Sequence, residues 1–271
     1  MEICVSTFIC NKDRVLDALP VFADSAIKNL ELWGAFNFGS EHHFPYWENG
    51  YASRLTDELE KFGLKVRTMH APFSETLDIS SLDESLRKEA ISEIKAAVSV
   101  FSRLPGAEIV VIHPGGISTR PEEEKIRLVQ SRKSLVELDQ ALSENKIRLA
   151  VENMLPGLVG WQSSDLSFLI EDLPNTGICL DTGHAHISGV LEVILKTLKD
   201  KIIAFHLSDT YDSVDRHLIP SEGTVDWLNF REKALNGKGP AFLTFETRDR
   251  GNLTNALQEI KTAFRKLTQT Q

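Results

Sequence analysis

The sequence predicts an α/β protein folded as one (β/α)8 TIM barrel, with its functional site at the carboxyl ends of the strands. Three observations support this prediction. Short apolar runs rich in β-branched residues alternate with longer amphipathic stretches along all 271 residues. Eight of these runs follow one another without a low-complexity linker or a shift in composition. The length suits one barrel of this kind, so we expect a single domain over residues 1–271.

The strands are expected where a short apolar run is bounded by polar or turn-forming residues. They are Glu2–Phe8, Leu30–Phe36, Lys65–His70, Glu108–His113, Arg148–Glu152, Gly177–Asp181, Ile202–His206 and Ala241–Glu246. The first strand runs into Ile9-Cys10-Asn11 and lacks the glycine-rich phosphate turn of an open dinucleotide-binding sheet. A closed barrel is therefore favoured over an open, doubly wound sheet.

Helical periodicity fills the intervals between these strands. The clearest helices are predicted over Asp83–Leu104, Pro121–Glu144, Asp165–Leu173, Leu191–Lys199, Asp226–Leu235 and Leu253–Leu267, and weaker patterns cover Asp13–Ile27 and Ala52–Phe62. Ser81 and Asp83 precede Glu84, which is the capping chemistry of a helix start. Pro121 precedes an acidic first turn, which suits the positive end of a helix.

Composition and charge exclude several classes of protein. No basic region precedes a long apolar run at the N-terminus, and no stretch reaches the roughly 18 apolar residues that a membrane span needs. The three cysteines, Cys4, Cys10 and Cys179, lack the count and spacing of a disulfide framework. We therefore expect a reduced, cytoplasmic protein. Its net charge of −9 repels polyanions, which makes a nucleic-acid partner less favoured than a small molecule.

Metal-ligating side chains stand at the ends of six successive strands. The last polar residue of a barrel strand points into the mouth of the barrel. These residues are His70, His113, Glu152, Asp181, His206 and Glu246, and His184 follows Asp181 by one turn. Any one of them could be satisfied by a hydrogen bond alone, but the joint pattern favours a bound cation. Imidazole and carboxylate ligands without thiolate suit zinc, manganese, cobalt or iron(II).

A further polar cluster, Asp215-Arg216-His217, follows the seventh strand. Asp215 and His217 would join His184 in another metal site. The competing interpretation is a solvated loop that holds an ordinary ion pair.

Seven short runs follow one another along the chain: Met-His-Ala-Pro-Phe (69–73), Val-Ile-His-Pro-Gly-Gly (111–116), Val-Glu-Asn-Met (151–154), Cys-Leu-Asp-Thr-Gly-His-Ala (179–185), His-Leu-Ser-Asp (206–209), Asp-Arg-His (215–217) and Phe-Glu-Thr-Arg (245–248). Taken in this order, they resemble the xylose-isomerase-like barrel superfamily. That superfamily includes sugar isomerases, sugar and sugar-phosphate epimerases, inosose dehydratases and the AP endonucleases of the endonuclease IV group, also called AP endonuclease family 2. The likeness covers nearly the whole chain from the third strand onward.

The resemblance implies a ligand set for one to three divalent ions, zinc, manganese or cobalt. The single metal site of the epimerases and isomerases corresponds to Glu152, Asp181, His206 and Glu246. The endonuclease group adds a second metal, held by His70 and His113 with Glu152 bridging, and a third, held by His184, Asp215 and His217. All nine positions are occupied in this sequence.

The first function that these residues allow is metal-dependent isomerisation or epimerisation of a small sugar or sugar phosphate. A metal-polarised carbonyl acidifies the neighbouring C–H bond, and the bases on the two faces would be Glu152 and Glu246. His184 or Arg216 would hold a hydroxyl or a phosphate. His42 and Trp47, from the aromatic segment after the second strand, would cover the sugar ring, unless that segment packs only its own aromatics.

Two other functions stay open. An AP endonuclease would hydrolyse phosphodiester bonds at abasic DNA sites with a multi-zinc cluster, and the complete nine-residue set favours it. However, residues 37–48 and 74–83, after the second and third strands, contain no Lys or Arg to grip DNA phosphates. A non-catalytic barrel that binds a sugar or a partner is disfavoured by the intact Glu152 and Glu246. We favour the sugar enzyme, and the sequence sets no oligomeric state.

Overall fold

The computed structural model describes residues 1–35, 43–116, 120–236 and 239–269, and its strands form a closed parallel barrel in sequence order. The strands are β1 (Glu2–Ser6), β2 (Asn29–Trp33), β3 (Lys65–His70), β4 (Ile109–Ile112), β5 (Arg148–Glu152), β6 (Thr176–Asp181), β7 (Ile202–Leu207) and β8 (Phe242–Phe245). Strand β1 closes the barrel by pairing in parallel with β8 as well as with β2. This confirms the predicted (β/α)8 barrel.

Helices alternate with the strands along the chain. They are α1 (Val15–Asp24), α2 (Tyr51–Phe62), α3 (Glu84–Phe101), α4 (Glu124–Glu144), α5 (Ser163–Ile170), α6 (Thr182–Ile187), α7 (Leu191–Thr197), α8 (Trp227–Phe230) and α9 (Leu253–Thr268). Asp83 caps α3 as its sequence position indicates, because its carboxylate accepts the backbone N–H groups of Ser85 and Leu86.

Several elements differ from the sequence prediction in their bounds or their type. Strand β1 stops at Ser6, whose hydroxyl accepts the Phe8 N–H and opens a 3-10 turn over Thr7–Cys10. The helix predicted over Asp226–Leu235 is α8 continued by a π-helical turn, Arg231–Leu235. Helix α6 was not predicted, since six residues that include Gly183 are too few to show a helical period. Phe36, the last residue of the second predicted strand, lies outside the described residues.

The apolar core has two layers because alternate strand residues point to opposite sides of the sheet. In β4, Ile109 and Val111 pack in a small cluster with Ala150, Cys179 and Ala204. The alternate residues of β4, Val110 and Ile112, belong to the large cluster that joins the strands to the helices. The small cluster fills the barrel beneath the strand ends, and the large one fixes the helices around it.

Two features of the described residues bear on the predictions from composition. All three cysteines are buried and free, so no disulfide occurs in residues 1–35, 43–116, 120–236 and 239–269. No helix in these ranges is both long enough and apolar enough to cross a membrane. Cys179 stands two residues before Asp181 in β6, so both side chains point to the same side of the sheet, and Cys179 packs in the barrel interior.

Candidate metal centre

Four buried side chains meet at one end of the barrel and form what we call the central cluster: Glu152, Asp181, His206 and Glu246. Glu152 and Asp181 are the last residues of their strands, and Glu246 directly follows β8. None of the four is more than 2% exposed, and each offers a ligand atom within 4.8 Å of the others. His206 Nδ1 lies 3.1 Å from Glu152 Oε1 and 3.3 Å from Glu246 Oε2.

The central cluster fits a divalent cation. Within the described part of the chain, the buried atoms Glu152 Oε2 and Asp181 Oδ2 have no hydrogen-bond partner. Burial and the charges of Glu152 and Glu246 together raise the pKa of Asp181 to about 6, against the opposing effect of His184. Three carboxylates at such separations need a positive charge. Their oxygen atoms and one imidazole nitrogen are ligands for zinc, manganese or cobalt.

A second group consists of His70, His113 and Glu152 and is called the histidine pair. The two Nε2 atoms are 3.2 Å apart and lie 3.4 and 3.5 Å from Glu152 Oε2. His70 Nδ1 donates to the Ala71 carbonyl at 3.0 Å, which leaves Nε2 without a proton in a neutral ring. Burial lowers the pKa of both rings, but Glu152 holds that of His70 above its ordinary value while that of His113 stays lowered.

A third group, the loop cluster, consists of His184, Asp215 and His217. Asp215 Oδ2 lies 3.4 Å from His184 Nε2 and 2.7 Å from His217 Nε2. Each ring turns its other nitrogen to a backbone carbonyl, since His184 Nδ1 donates to Asn153 and His217 Nδ1 to Glu246. Although burial opposes it, Asp215 raises the pKa of His217 to about 9. The structure thus brings all nine predicted ligands together in three groups, and Glu152 belongs to two of them.

Asn153 supports two of these groups, although no sequence pattern singles it out. Its side-chain amide donates to the Asp181 carbonyl at 3.1 Å and accepts the Asp181 N–H at 2.8 Å. Its backbone carbonyl accepts from His184 Nδ1 at 2.9 Å. Asp181 in turn caps α6 by accepting the His184 N–H at 2.7 Å. Asn153 therefore fixes the central cluster relative to the loop cluster.

Asp209 organises the loop that carries Asp215 and His217. Its fully buried carboxylate accepts the backbone N–H groups of Thr210, Ser221 and Val225 and the indole N–H of Trp227. Gly223 packs so closely on this carboxylate that an added Cβ would lie 2.4 Å from Asp209 Oδ1. His217 in this loop has a left-handed backbone conformation, with φ of 46°. A residue other than glycine keeps this conformation when the surrounding contacts hold it.

A cavity of about 430 Å³ opens above the three groups. One wall is aromatic, with ring centroids 4.5 Å apart for Phe8 and Trp33 and 5.7 Å apart for Trp33 and Phe73. Aliphatic side chains add to the lining: Met154, Leu155 and Leu158. The basic residues of the described lining are Lys12, which pairs with Asp249 at 2.9 Å, and Arg248, which donates to the Asp215 carbonyl at 2.5 Å.

The predicted substrate-binding residues lie in different places. His184 is part of the loop cluster and lines the cavity. Arg216 forms an ion pair with Asp212, lies over the Tyr211 ring at 4.3 Å and is not among the described residues that line the cavity. Trp47 is half exposed and packs edge-on against Tyr46. His42 lies outside the described residues.

Sequence reasoning also missed Glu31, which is buried in the middle of β2 and contacts His206. The aromatic wall of the cavity and its two basic residues, Lys12 and Arg248, were also missed, because their sequence positions look ordinary. Phe8 and Trp33 read as ordinary apolar strand residues, while Lys12 and Arg248 stand in polar segments. A polar residue in the middle of a predicted buried strand is the signal that would have identified Glu31.

Known proteins that resemble this chain were found by sequence and by structure. A family model described as xylose isomerase-like TIM barrel matches residues 27–269. An uncharacterized protein of Methanocaldococcus jannaschii is 26% identical over 268 residues, which cover 98% of this chain and 100% of that protein. The probable endonuclease 4 of Mycoplasma genitalium is 26% identical over 200 residues, or 66% of this chain and 65% of that protein.

Solved structures share the whole architecture at low sequence identity. A D-tagatose 3-epimerase-like protein superimposes with a TM-score of 0.81 and 22% identity over 98% of each chain. The IolI protein with a bound zinc atom superimposes with a TM-score of 0.81 and 17% identity, again over 98% of each chain. At these identities the likeness establishes the fold alone.

Proposed function

The chain belongs to the xylose isomerase-like TIM barrel family, and we propose that it is a divalent-metal-dependent isomerase or epimerase of a small sugar or sugar phosphate. The observation that carries this proposal is the central cluster at the floor of a cavity of about 430 Å³. That volume lies in the range of small-molecule pockets, about 300–1,000 Å³. Sugar epimerases such as D-psicose 3-epimerase and L-ribulose 3-epimerase are among the structures with this fold, which supports the substrate class.

Glu152 and Glu246 are the proposed bases. Burial raises the pKa of both carboxyls, but His206 beside them holds each below its ordinary value, so both are ionised at neutral pH. A divalent ion held by the central cluster would polarise a substrate carbonyl and acidify the neighbouring C–H bond. One carboxylate then removes the proton from carbon. Return of a proton from the other face inverts that carbon, and return to the adjacent carbon interconverts aldose and ketose.

The cavity walls suit such a substrate. Aromatic rings of Phe8, Trp33 and Phe73 offer flat apolar surface to the C–H faces of a sugar and keep water from the reacting carbon. Lys12 and Arg248 at the outer end place positive charge where a phosphate or hydroxyl group would lie. The floor therefore binds the reacting end of the substrate and the rim binds its far end.

A second candidate is hydrolysis of phosphodiester bonds at abasic DNA sites. The histidine pair and the loop cluster favour it, because phosphodiester hydrolases use clusters of metal ions. The similarity to a probable endonuclease 4 supports it as well. Against it, Lys12 and Arg248 are the only Lys or Arg side chains in the described cavity lining, which is few for a surface that grips DNA phosphates, and the chain carries a net charge of −9.

One experiment separates these functions. The purified chain, loaded with zinc, manganese or cobalt, is incubated in heavy water with a panel of ketohexoses and ketose phosphates, and in parallel with a duplex that contains an abasic site. The proposal expects deuterium to enter the sugar next to the carbonyl, and chelation to stop it. Incision of the duplex without deuterium uptake would establish the nuclease. Sugar binding without either reaction would indicate a non-catalytic barrel.

A further inference from the structure

Glu31 is a buried carboxylate outside the three ligand groups. It lies in the middle of β2, is 0% exposed, and is paired in register with Thr68 of β3. The Thr68 hydroxyl donates to Glu31 Oε2 at 2.7 Å, and His206 Nε2 lies 3.0 Å from the same oxygen. The other oxygen, Oε1, is buried without a hydrogen-bond partner among the described residues.

This contact determines which nitrogen of His206 carries a proton. Glu31 Oε2 accepts the Thr68 hydroxyl, so a second hydrogen bond at this oxygen comes from an N–H at His206 Nε2. With a divalent ion in the central cluster in place of the second ring proton, His206 would be a neutral imidazole with one N–H, and Nδ1 would keep its lone pair free. Nδ1 is the nitrogen that faces Glu152 and Glu246 in the central cluster.

We infer that Glu31 is a positioning residue, which holds His206 in the tautomer and orientation that present Nδ1 to the central cluster. A metal-ligating histidine is commonly oriented by a carboxylate on its other nitrogen, and loss of such a partner weakens metal binding by about 10–100-fold. This inference rests on the metal centre of the proposed function. It adds a residue from the opposite side of the barrel, 175 positions away in the chain.

A purely structural role explains Glu31 less well. Glu31 shares a face of β2 with Trp33, which lines the cavity, so Glu31 lies one layer deeper in the barrel. An apolar side chain would fill that layer without the cost of burying a carboxylate. The two hydrogen bonds converge on one oxygen and leave the other without a partner in the described chain, which is a poor arrangement for stability alone.

The test is the zinc affinity of the full chain, measured by competition with a chelator. Glu31→Met removes the acceptor and is expected to weaken binding at the central cluster by about 10–100-fold. Glu31→Gln keeps an acceptor oxygen and should retain most of the affinity. Thr68→Val is the matched control, because it removes the other hydrogen bond to Glu31 Oε2 and leaves the His206 contact in place.

A second readout does not depend on whether Glu31→Met folds. Long-range proton–nitrogen NMR of the zinc-bound wild-type chain, labelled with ¹⁵N-histidine, should show His206 protonated at Nε2 and not at Nδ1. The reverse pattern, or wild-type affinity in Glu31→Met, would overturn the inference. Absence of zinc from the wild-type chain would remove the metal centre itself. Zinc binding without sugar turnover would refute only the proposed reaction.

Discussion

His70 and His113 face each other nitrogen to nitrogen, with their Nε2 atoms 3.2 Å apart and Glu152 Oε2 within 3.5 Å of both. In neutral rings a single proton can bridge these nitrogens, and His113 Nδ1 has no partner within the described ranges. Once a cation displaced that proton, two imidazole lone pairs and one carboxylate oxygen would be available as its ligands. Because Glu152 also belongs to the central cluster, the two sites share a ligand.

The histidine pair is therefore expected to bind an ion of its own. His113→Ala should lower the metal bound per chain by one, and the central cluster should keep its ion. The measurement is elemental analysis of the chain after zinc loading and removal of free metal. His186→Ala serves as the control, since this histidine contacts the Thr224 hydroxyl and belongs to none of the three groups. An unchanged metal content in His113→Ala would contradict the prediction.

Glu152→Gln and Glu246→Gln should each lower kcat by about 100-fold or more, because an amide cannot remove a proton from carbon. Turnover is followed by deuterium uptake into the substrate, and metal content is measured beside it because both residues are also candidate ligands. Glu222→Gln is the control, an exposed residue paired with Arg250. Near-normal turnover in either variant would remove that residue from the chemistry.

Asp209→Asn should destabilise the protein and weaken the loop cluster. The amide keeps one acceptor oxygen but turns an NH₂ group toward two of the four donors that converge on the carboxylate. Leaving two buried donors unpaired lowers the free energy of unfolding by about 3 kcal/mol. Urea unfolding measures this change.

The control for that variant is Asp212→Asn on the same loop. Asp212 pairs with Arg216 at the surface, so the change should be below about 1 kcal/mol. Equal unfolding free energies for Asp209→Asn and Asp212→Asn would show that Asp209 does not hold the loop.

His43 should make the protein less stable in acid. Burial lowers its pKa to about 4 from an ordinary value of 6.5, although the Asp13 carbonyl accepts from its Nδ1. The ring is neutral when folded, so below pH 6.5 the unfolded chain binds the proton first. This contribution to stability is complete above pH 6.5 and is lost as the pH falls toward 4, by about 2 kcal/mol at pH 5.

Urea unfolding at pH 7.5 and pH 5 tests this prediction. The wild-type chain should lose about 2 kcal/mol more between the two conditions than His43→Gln, which cannot titrate there. Comparison of this change between the two proteins cancels the titration of the other histidines, which both proteins share. The same pH dependence in both chains would show that His43 already binds its proton in the folded state.

Local chain chemistry was sufficient to predict most of the site. The strands that end at His70, Glu152 and Asp181 do so where the sequence predicts, because a buried apolar run followed by a polar residue marks the end of a barrel strand. Parallel strands place these ends at one rim, so the convergence follows from the fold class. The unpredicted helix α6 changes little, since His184 still lies one turn beyond Asp181.

The barrel and the residue types at its rim can therefore be predicted from the chain alone, since both follow from its periodicity. Which groups face each other across the barrel becomes visible only when the strands are packed together. Glu31 of β2 meets His206 of β7 across the barrel interior, and the β2–β3 pairing has a register shift between Leu30 and Glu31. No local pattern records such a shift, because it depends on how neighbouring strands pack. The sequence likewise could not show that Arg216 turns to Asp212, because the course of this loop depends on its tertiary contacts.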